Sequence, residues 1–351
     1  MRFKKMLILS VVLAWFSMFT PSMVANAATQ NNDMAYSVSA KLPASQINHD
    51  VSYFDLQLNP GSKETIYVHI NNSSNERSTF TISPNQATTN KNGVIDYSKH
   101  KGNKDRSLKN KLDKIISPDT KTVTLEAGQQ MDVPFVINMP KKEFKGIVLG
   151  GFYVQKKVKD TKASDKKVMI KNRYAFVIGL SIQNKSDAVT PDLKLLNAKA
   201  GLDNSYTTIL ANLQNPKATI IHKLNIDAKI TPKGQKKVLY KTSKTQMAMA
   251  PNSNFNLPVS LNKNAIKPGK YTMHVKASAE NGEYKWNLSK DFTIKSDEAN
   301  KLNAKAVEVK KDYTWLIYVG IAVLLILIGV IVMLVLKLKR NKEGQVKDTD
   351  K

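Results

Sequence analysis

The chain has no cysteine in 351 residues, so it forms no disulfide and no thiolate-based metal site. Whatever core it builds is stabilised by packing alone. Histidine is scarce as well. His49, His69, His100, His222 and His274 are scattered, and His69 and His274 lie in strand patterns with no carboxylate or second histidine at ligand spacing, so no metal site is indicated. Also missing are a G-x-S-x-G elbow, an S-x-x-K set with its partner motifs and a phosphate-cradling glycine loop. No catalytic chemistry and no cofactor is called for. Acidic residues are in deficit, 28 against 54 lysines and arginines, for a formal net charge of +26.

Long apolar runs are confined to the two ends. From Trp315 to Leu336 there is no charge and no proline, and about sixteen of the positions are Leu, Ile or Val. At about 1.5 Å rise per residue such a helix crosses a bilayer. Lys337, Lys339, Arg340 and Lys342 follow at once and hold that end in the cytoplasm. At the other end Arg2, Lys4 and Lys5 precede an apolar run from Met6 to Phe19, then Pro21 and the small-residue site Ala25-Asn26-Ala27. That is the layout of a secretory leader, with cleavage after Ala27. The expected product is a single-pass protein whose residues 28–314 lie outside the membrane, with 337–351 as a cytoplasmic tail.

Removing the three positives of the leader and the net three of the tail leaves +20 on the exported part. Nucleic acid is the usual counterpart of such a balance. Outside the membrane the available polyanions are instead the membrane surface, anionic wall polymers and acidic proteins.

Between the ends, period-two alternation dominates. Phe54, Leu56 and Leu58 share one face, Asn59-Pro60-Gly61 turns the chain, and Ile66, Val68 and Ile70 share another, a pattern read as two antiparallel strands. A strand follows at 78–82, then the Asn92-Gly93 turn. Leu108, Leu112 and Ile115 recur at helical spacing and predict a helix over 107–116, inserted in an otherwise β unit. Met131, Val133, Phe135 and Ile137 alternate in a strand that Pro134 assigns to a sheet edge. Residues 147–154 are apolar on both faces, hence a central strand, with Gly150-Gly151 permitting close backbone approach. A lysine-rich loop over 156–171 leads to a hairpin partner over 174–182.

After a linker at 186–191, seven strand candidates run from Leu193 to Ile294, the count of a β-sandwich. Lys267-Pro268-Gly269 and Asn281-Gly282 mark turns within them. Residues 296–314 turn to Ala, Lys, Glu and Asn and read as a partly helical stalk. The fold expected is all-β, two tandem Ig-like sandwiches at 28–185 and 186–295, ahead of one transmembrane helix. PGSKETIYVHI, AGQQMDVPFVI and APNSNFNLPVSL also form a weak repeat of turn plus alternating strand.

FDLQLNPGSKETIYVHINNSS, ATTNKNGVIDY and FKGIVLGGFYV with NRYAFVIGLSI resemble the N-terminal domain of WxL-interacting proteins, surface proteins of Gram-positive bacteria. MAMAPNSNF, KPGKYTMHV and DEANKLN resemble that family's C-terminal domain. The resemblance covers nearly the whole chain. It implies a membrane-anchored scaffold with an N-terminal peptidoglycan-binding domain and a C-terminal host-protein-binding domain, associating with secreted WxL-domain proteins. The expected partners are therefore WxL-domain proteins, peptidoglycan or anionic wall polymers, and host extracellular proteins. The residues read as glycan contacts are Asn90, Asn92 and Tyr97, whose amides and ring suit sugar hydroxyls and faces. The partner-binding edge is read at Met131, Val133, Phe135 and Ile137. Two other readings stand beside this one. A sortase-anchored adhesin would need an LPxTG-like motif, which KLNAKAVEVKKDYTW does not contain, and a sensor or complex subunit would need a partner within the membrane.

Overall fold

The computed structural model describes residues 35–157, 174–309 and 314–347. The leader expected over 1–27 and nearly all of the lysine-rich loop lie outside those residues. Two β-sandwiches follow one another. In the first, one sheet runs β1 (Ser37–Lys41), β3 (Lys63–Asn71), β9 (Gln130–Asn138), β7 (Ile116–Ser117). The facing sheet runs β2 (Phe54–Gln57), β11 (Ala175–Gln183), β10 (Ile147–Lys156), β4 (Ser78–Gln86), β8 (Lys121–Leu125). In the second, β12 (Lys194–Asp203), β13 (Tyr206–Asn215) and β16 (Ser253–Ser260) face β15 (Tyr240–Met249), β14 (Ile221–Pro232), β17 (Gly269–Ala279) and β18 (Tyr284–Ile294). These seven strands meet the expected count.

Alternation decides which residues are buried. Phe54, Leu56, Ile66, Val68, Ile70, Val133, Phe135 and Ile137 all lie inside the first core, where Phe152 of the central strand β10 meets Phe54 and Phe135 at ring-centroid distances of 5.8 and 4.8 Å. Aromatic pairs at that range add to the burial of their area. Alternation does not decide which strand lies beside which. The strands on either side of Asn59-Pro60-Gly61, read as antiparallel partners, belong to different sheets. β2 pairs parallel with β11, and Leu58 N donates to Gln183 O at 2.9 Å to continue that ladder. Gly61, at φ 74°, then carries the chain across to the other sheet. Both strands face one core from opposite sides, which yields the same pattern as a hairpin. The first two segments of the weak repeat, by contrast, are ladder partners, β3 against β9.

The helix expected over 107–116 shrinks to α1, Leu112–Ile115. Asp105 Oδ1 accepts from Ser107 N and Oγ at 2.8 and 2.6 Å and turns the chain there. Lys111 is extended, so the helix begins only at Leu112, whose N–H donates to Gln86 Oε1 at 2.8 Å. Leu108 is buried all the same.

Residues 296–305 form α2, Ser296–Lys305, and this helix does not stand off as a free stalk. Ala299 is fully buried in the second core, and Leu302 packs against it. Asn303 accepts from Ile266 N at 2.8 Å and donates to Ile266 O at 2.9 Å. Beyond it α3, Thr314–Lys347, carries the apolar stretch Leu316–Leu336, long and apolar enough to cross a membrane. That stretch packs against nothing among the described residues.

Candidate functional site

The segment between β4 and α1 leaves the first sandwich and lies on the second. It contains a short hairpin, β5 (Thr88–Thr89) with β6 (Ile95–Asp96). Ala250 N donates to Thr89 Oγ1 at 3.0 Å, and Ser253 Oγ donates to Ala250 O at 2.8 Å. The 2.7 Å contact between Thr89 Oγ1 and Ser253 Oγ therefore has Thr89 as donor. Ala248 N donates to Gly93 O at 2.7 Å. Gly93 has φ 69°, and a Cβ there would stand 2.1 Å from Met247 Cε, so the close approach needs glycine. Asn252 donates to Ser107 O at 3.2 Å and Pro216 O at 2.9 Å, and Asn103 donates to Asn252 O at 3.2 Å.

The centre of this seam is Asp105, only 6% exposed. Besides Ser107 its carboxylate accepts from Gln214 Nε2 at 2.8 and 3.0 Å and from Asn254 Nδ2, both in the second sandwich. Burial alone would raise this carboxyl. The hydrogen bonds from Ser107, Asn254 and Gln214 outweigh that and hold it below the usual carboxylate range. A buried charge satisfied only by neutral donors from two domains ties their orientation together, since moving either strands the charge. Beside the seam lies an open groove of about 430 Å³, lined by Leu108, Phe144, Val189, Pro216 and Pro251 and edged by Lys109, Lys145 and Lys217.

The residues read as glycan contacts sit in this hairpin and serve it. Asn90 Oδ1 accepts from Asn92 N at 2.9 Å and Val94 N at 3.2 Å, shaping the turn. Tyr97 is half-buried, packed with Ala87, Leu149 and Ala250 from both domains. Its ring edge lies over Gly151, where a Cβ would come within 3.1 Å of it. Burial, and to a lesser degree Tyr53 nearby, pushes its phenol up. Of the three, Asn92 is exposed while Asn90 and Tyr97 are partly buried.

The β9 edge is also only partly as read. Val133, Phe135 and Ile137 are buried at 0–1% exposure, and Met131 is half-buried against the same core, so these side chains face away from any partner. What β9 offers is backbone. Pro134 has no N–H, so its pair with Tyr67 falls between ladder bonds, and the neighbouring outward positions are Asp132 and Val136. Only Val136 and Ile137 are covered, by β7. Asp132 lies on the sheet surface, 2.8 Å from Lys41 Nζ and 2.8 Å from His69 Nδ1, and Lys41 first, then His69, hold its carboxyl low.

Reasoning from sequence missed Asp105, Gln214, Asn252 and Asn254. The one local signal was Asp105-Arg106-Ser107, an Asx-type capture of the backbone two residues on.

Residues 36–156 match the family described as WxL Interacting Protein, peptidoglycan binding domain, and residues 165–304 match WxL Interacting Protein, host binding domain. The chain belongs to the WxL-interacting protein family. In this WxL-interacting protein both matched units are binding domains by description, which supports a surface binding protein. The second match starts ahead of β11, a strand whose ladder partners β10 and β2 belong to the first sandwich. No curated protein matches the chain. Among solved structures, a chaperone–tip adhesin complex of CFA/I fimbriae is similar at 11% identity and TM-score 0.29, covering 74% of this chain and 97% of that one. The E. coli chaperone DraB follows at 13% and 0.25, covering 74% and 97%, and a PapD-like domain of human CEP192 at 11% and 0.26, covering 48% and 98%.

Proposed function

We propose that this protein is a membrane-anchored scaffold that holds wall peptidoglycan with its first domain and grips a secreted WxL-domain protein, which in turn faces outward to host proteins. The observation that carries the partner reading is the bare edge of β9. Over Gln130–Phe135 no strand lies on its outer side among the described residues. An unpaired edge next to a buried core is a template for one added strand, with main-chain hydrogen bonds supplying affinity. The apolar helix and the basic residues after it support an ectodomain outside the membrane. The seam at Asp105 supports the scaffold role, because both domains then move as one body under the partner.

The test uses the full chain on wall-stripped cells, with a labelled WxL-domain protein of the same cell added outside. The chain captures the label, and prior protease treatment from outside abolishes capture. Asp132→Pro deletes an outward N–H of β9 and lowers affinity about tenfold or more, whereas Asp132→Ala, which keeps that N–H, stays within about threefold. Capture that survives external protease refutes the orientation. Equal effects of the two substitutions refute strand addition at β9.

A further inference from the structure

The outer face of the four-stranded sheet in the second sandwich carries charge that the fold does not use. Its inner face is core, with Ile226, Ala228, Ile230, Met273 and Val275 buried. On the outer face, register places Lys229 of β14 directly opposite Lys241 of β15 on one side and His274 of β17 on the other. One row along, Asp227 lies between Ser243 and Lys276, and Lys276 lies opposite Asn287 of β18. These residues line an open depression of about 630 Å³.

Like charges directly across a ladder are only about 4.5 to 5.5 Å apart at Cβ and destabilise the pair. A face shaped by folding alone would place an acid there, as the same sheet does nearby. Lys233 Nζ reaches Asp291 Oδ2 at 2.8 Å, and Thr272 donates to the same carboxylate's Oδ1 at 2.7 Å. Lys229, Lys241 and Lys276 are exposed and have no ion pair or hydrogen bond among the described residues. Asp227 offsets only one of them. His274 is half-buried, its Nε2 3.2 Å from Thr231 Oγ1.

We propose that this face binds a phosphodiester polymer of the wall. The cations are all lysines, compact point charges on flexible stems, which meet phosphate oxygens from many directions. Lysine binds phosphate as such a point charge, without a fixed bidentate geometry. The depression is a broad, partly open recess on a sheet face, larger than a single small anion would need. Lys241 stands directly across from Lys229, about 5 Å away at Cβ, and Lys276 stands diagonally across on the other side, about 7 to 8 Å away, so successive phosphates of an extended chain meet successive ammonium groups. Ser243 and Asn287 add neutral hydrogen-bonding groups for the polyol between phosphates. The site lies on the second domain, on a different sandwich from the β9 edge, and is independent of any WxL-domain partner.

The experiment measures binding of synthetic poly(glycerol phosphate) to the full chain in nanodiscs of neutral lipid, with no second protein present. Lys229→Gln, Lys241→Gln and Lys276→Gln together lower affinity about tenfold or more at 0.1 M salt, where the Debye length is about 10 Å. A matched control, Lys63→Gln with Lys141→Gln and Lys142→Gln on the first domain, removes the same charge and lowers it less than about threefold. The corresponding triple Lys→Arg variant retains binding, which separates charge from any loss of fold. Equal losses in the two triple Gln variants overturn the site in favour of diffuse attraction by net charge. Tighter binding of polyglutamate of equal charge overturns the phosphodiester assignment in favour of an acidic protein.

Discussion

Replacing Asp105 by Ala tests whether the two sandwiches are one mechanical unit. The substitution leaves Gln214 Nε2 and Asn254 Nδ2, the donors from the second domain, facing a void where a carboxylate had been. Each buried donor left without an acceptor costs about 1 to 3 kcal/mol, so the coupling across the seam falls by about 2 to 4 kcal/mol once water replaces part of what is lost. Trp286 gives an assay that reports one side alone. It packs against the second core, and with Trp15 and Trp315 replaced by Phe it is the only tryptophan left. In urea, the fluorescence and far-UV circular dichroism transitions of this background coincide. In Asp105→Ala they separate, because each sandwich unfolds on its own. The pH dependence has a definite sign. Asp105 is depressed in the folded state, so its stabilisation is fully present above the unfolded value near 3.8 and is lost as pH falls through the lower folded value. Asp105→Asn loses that stabilisation throughout, so the acid limb flattens and stability is lower between about pH 5 and 8 with no change of slope there. Coincident transitions in Asp105→Ala, with a midpoint moved by less than about 0.5 kcal/mol, would refute the coupling.

Two further substitutions test the packing on either side of the seam. Phe152→Ala empties the centre of the Phe54, Phe135 and Phe152 cluster and destabilises the first sandwich by about 3 to 5 kcal/mol, read as a lower denaturation midpoint. Asn303→Ala removes both hydrogen bonds between α2 and Ile266, costing about 1 to 2 kcal/mol. Hydrogen exchange then accelerates across residues 296–305, while an unchanged rate would mean that α2 is held by Ala299 and Leu302 alone.

The sequence by itself determined the periodic features. Period-two apolar alternation requires strands with one buried face, so Ile66, Val68 and Ile70, or Phe255, Leu257 and Val259, are core residues in any sheet that forms. A run of twenty-two uncharged residues requires an apolar environment whatever lies around it. Turn-by-turn likeness to a family was legible too, since turns are local. Only the tertiary structure decided which strands are neighbours, because burial of a face is a property of one strand and pairing is a property of two. The strands around Asn59-Pro60-Gly61 show this, as does the helix cut short where Asp105 captures Ser107. The seam was illegible for the same reason. Asp105 is separated from Gln214 and Asn254 by more than a hundred residues, and its one local signal, the turn to Ser107, does not point to the other domain. Its role depends on desolvation, which only the meeting of two domains creates. The facing lysines at 229 and 241 likewise become opposed only once β14 and β15 pair.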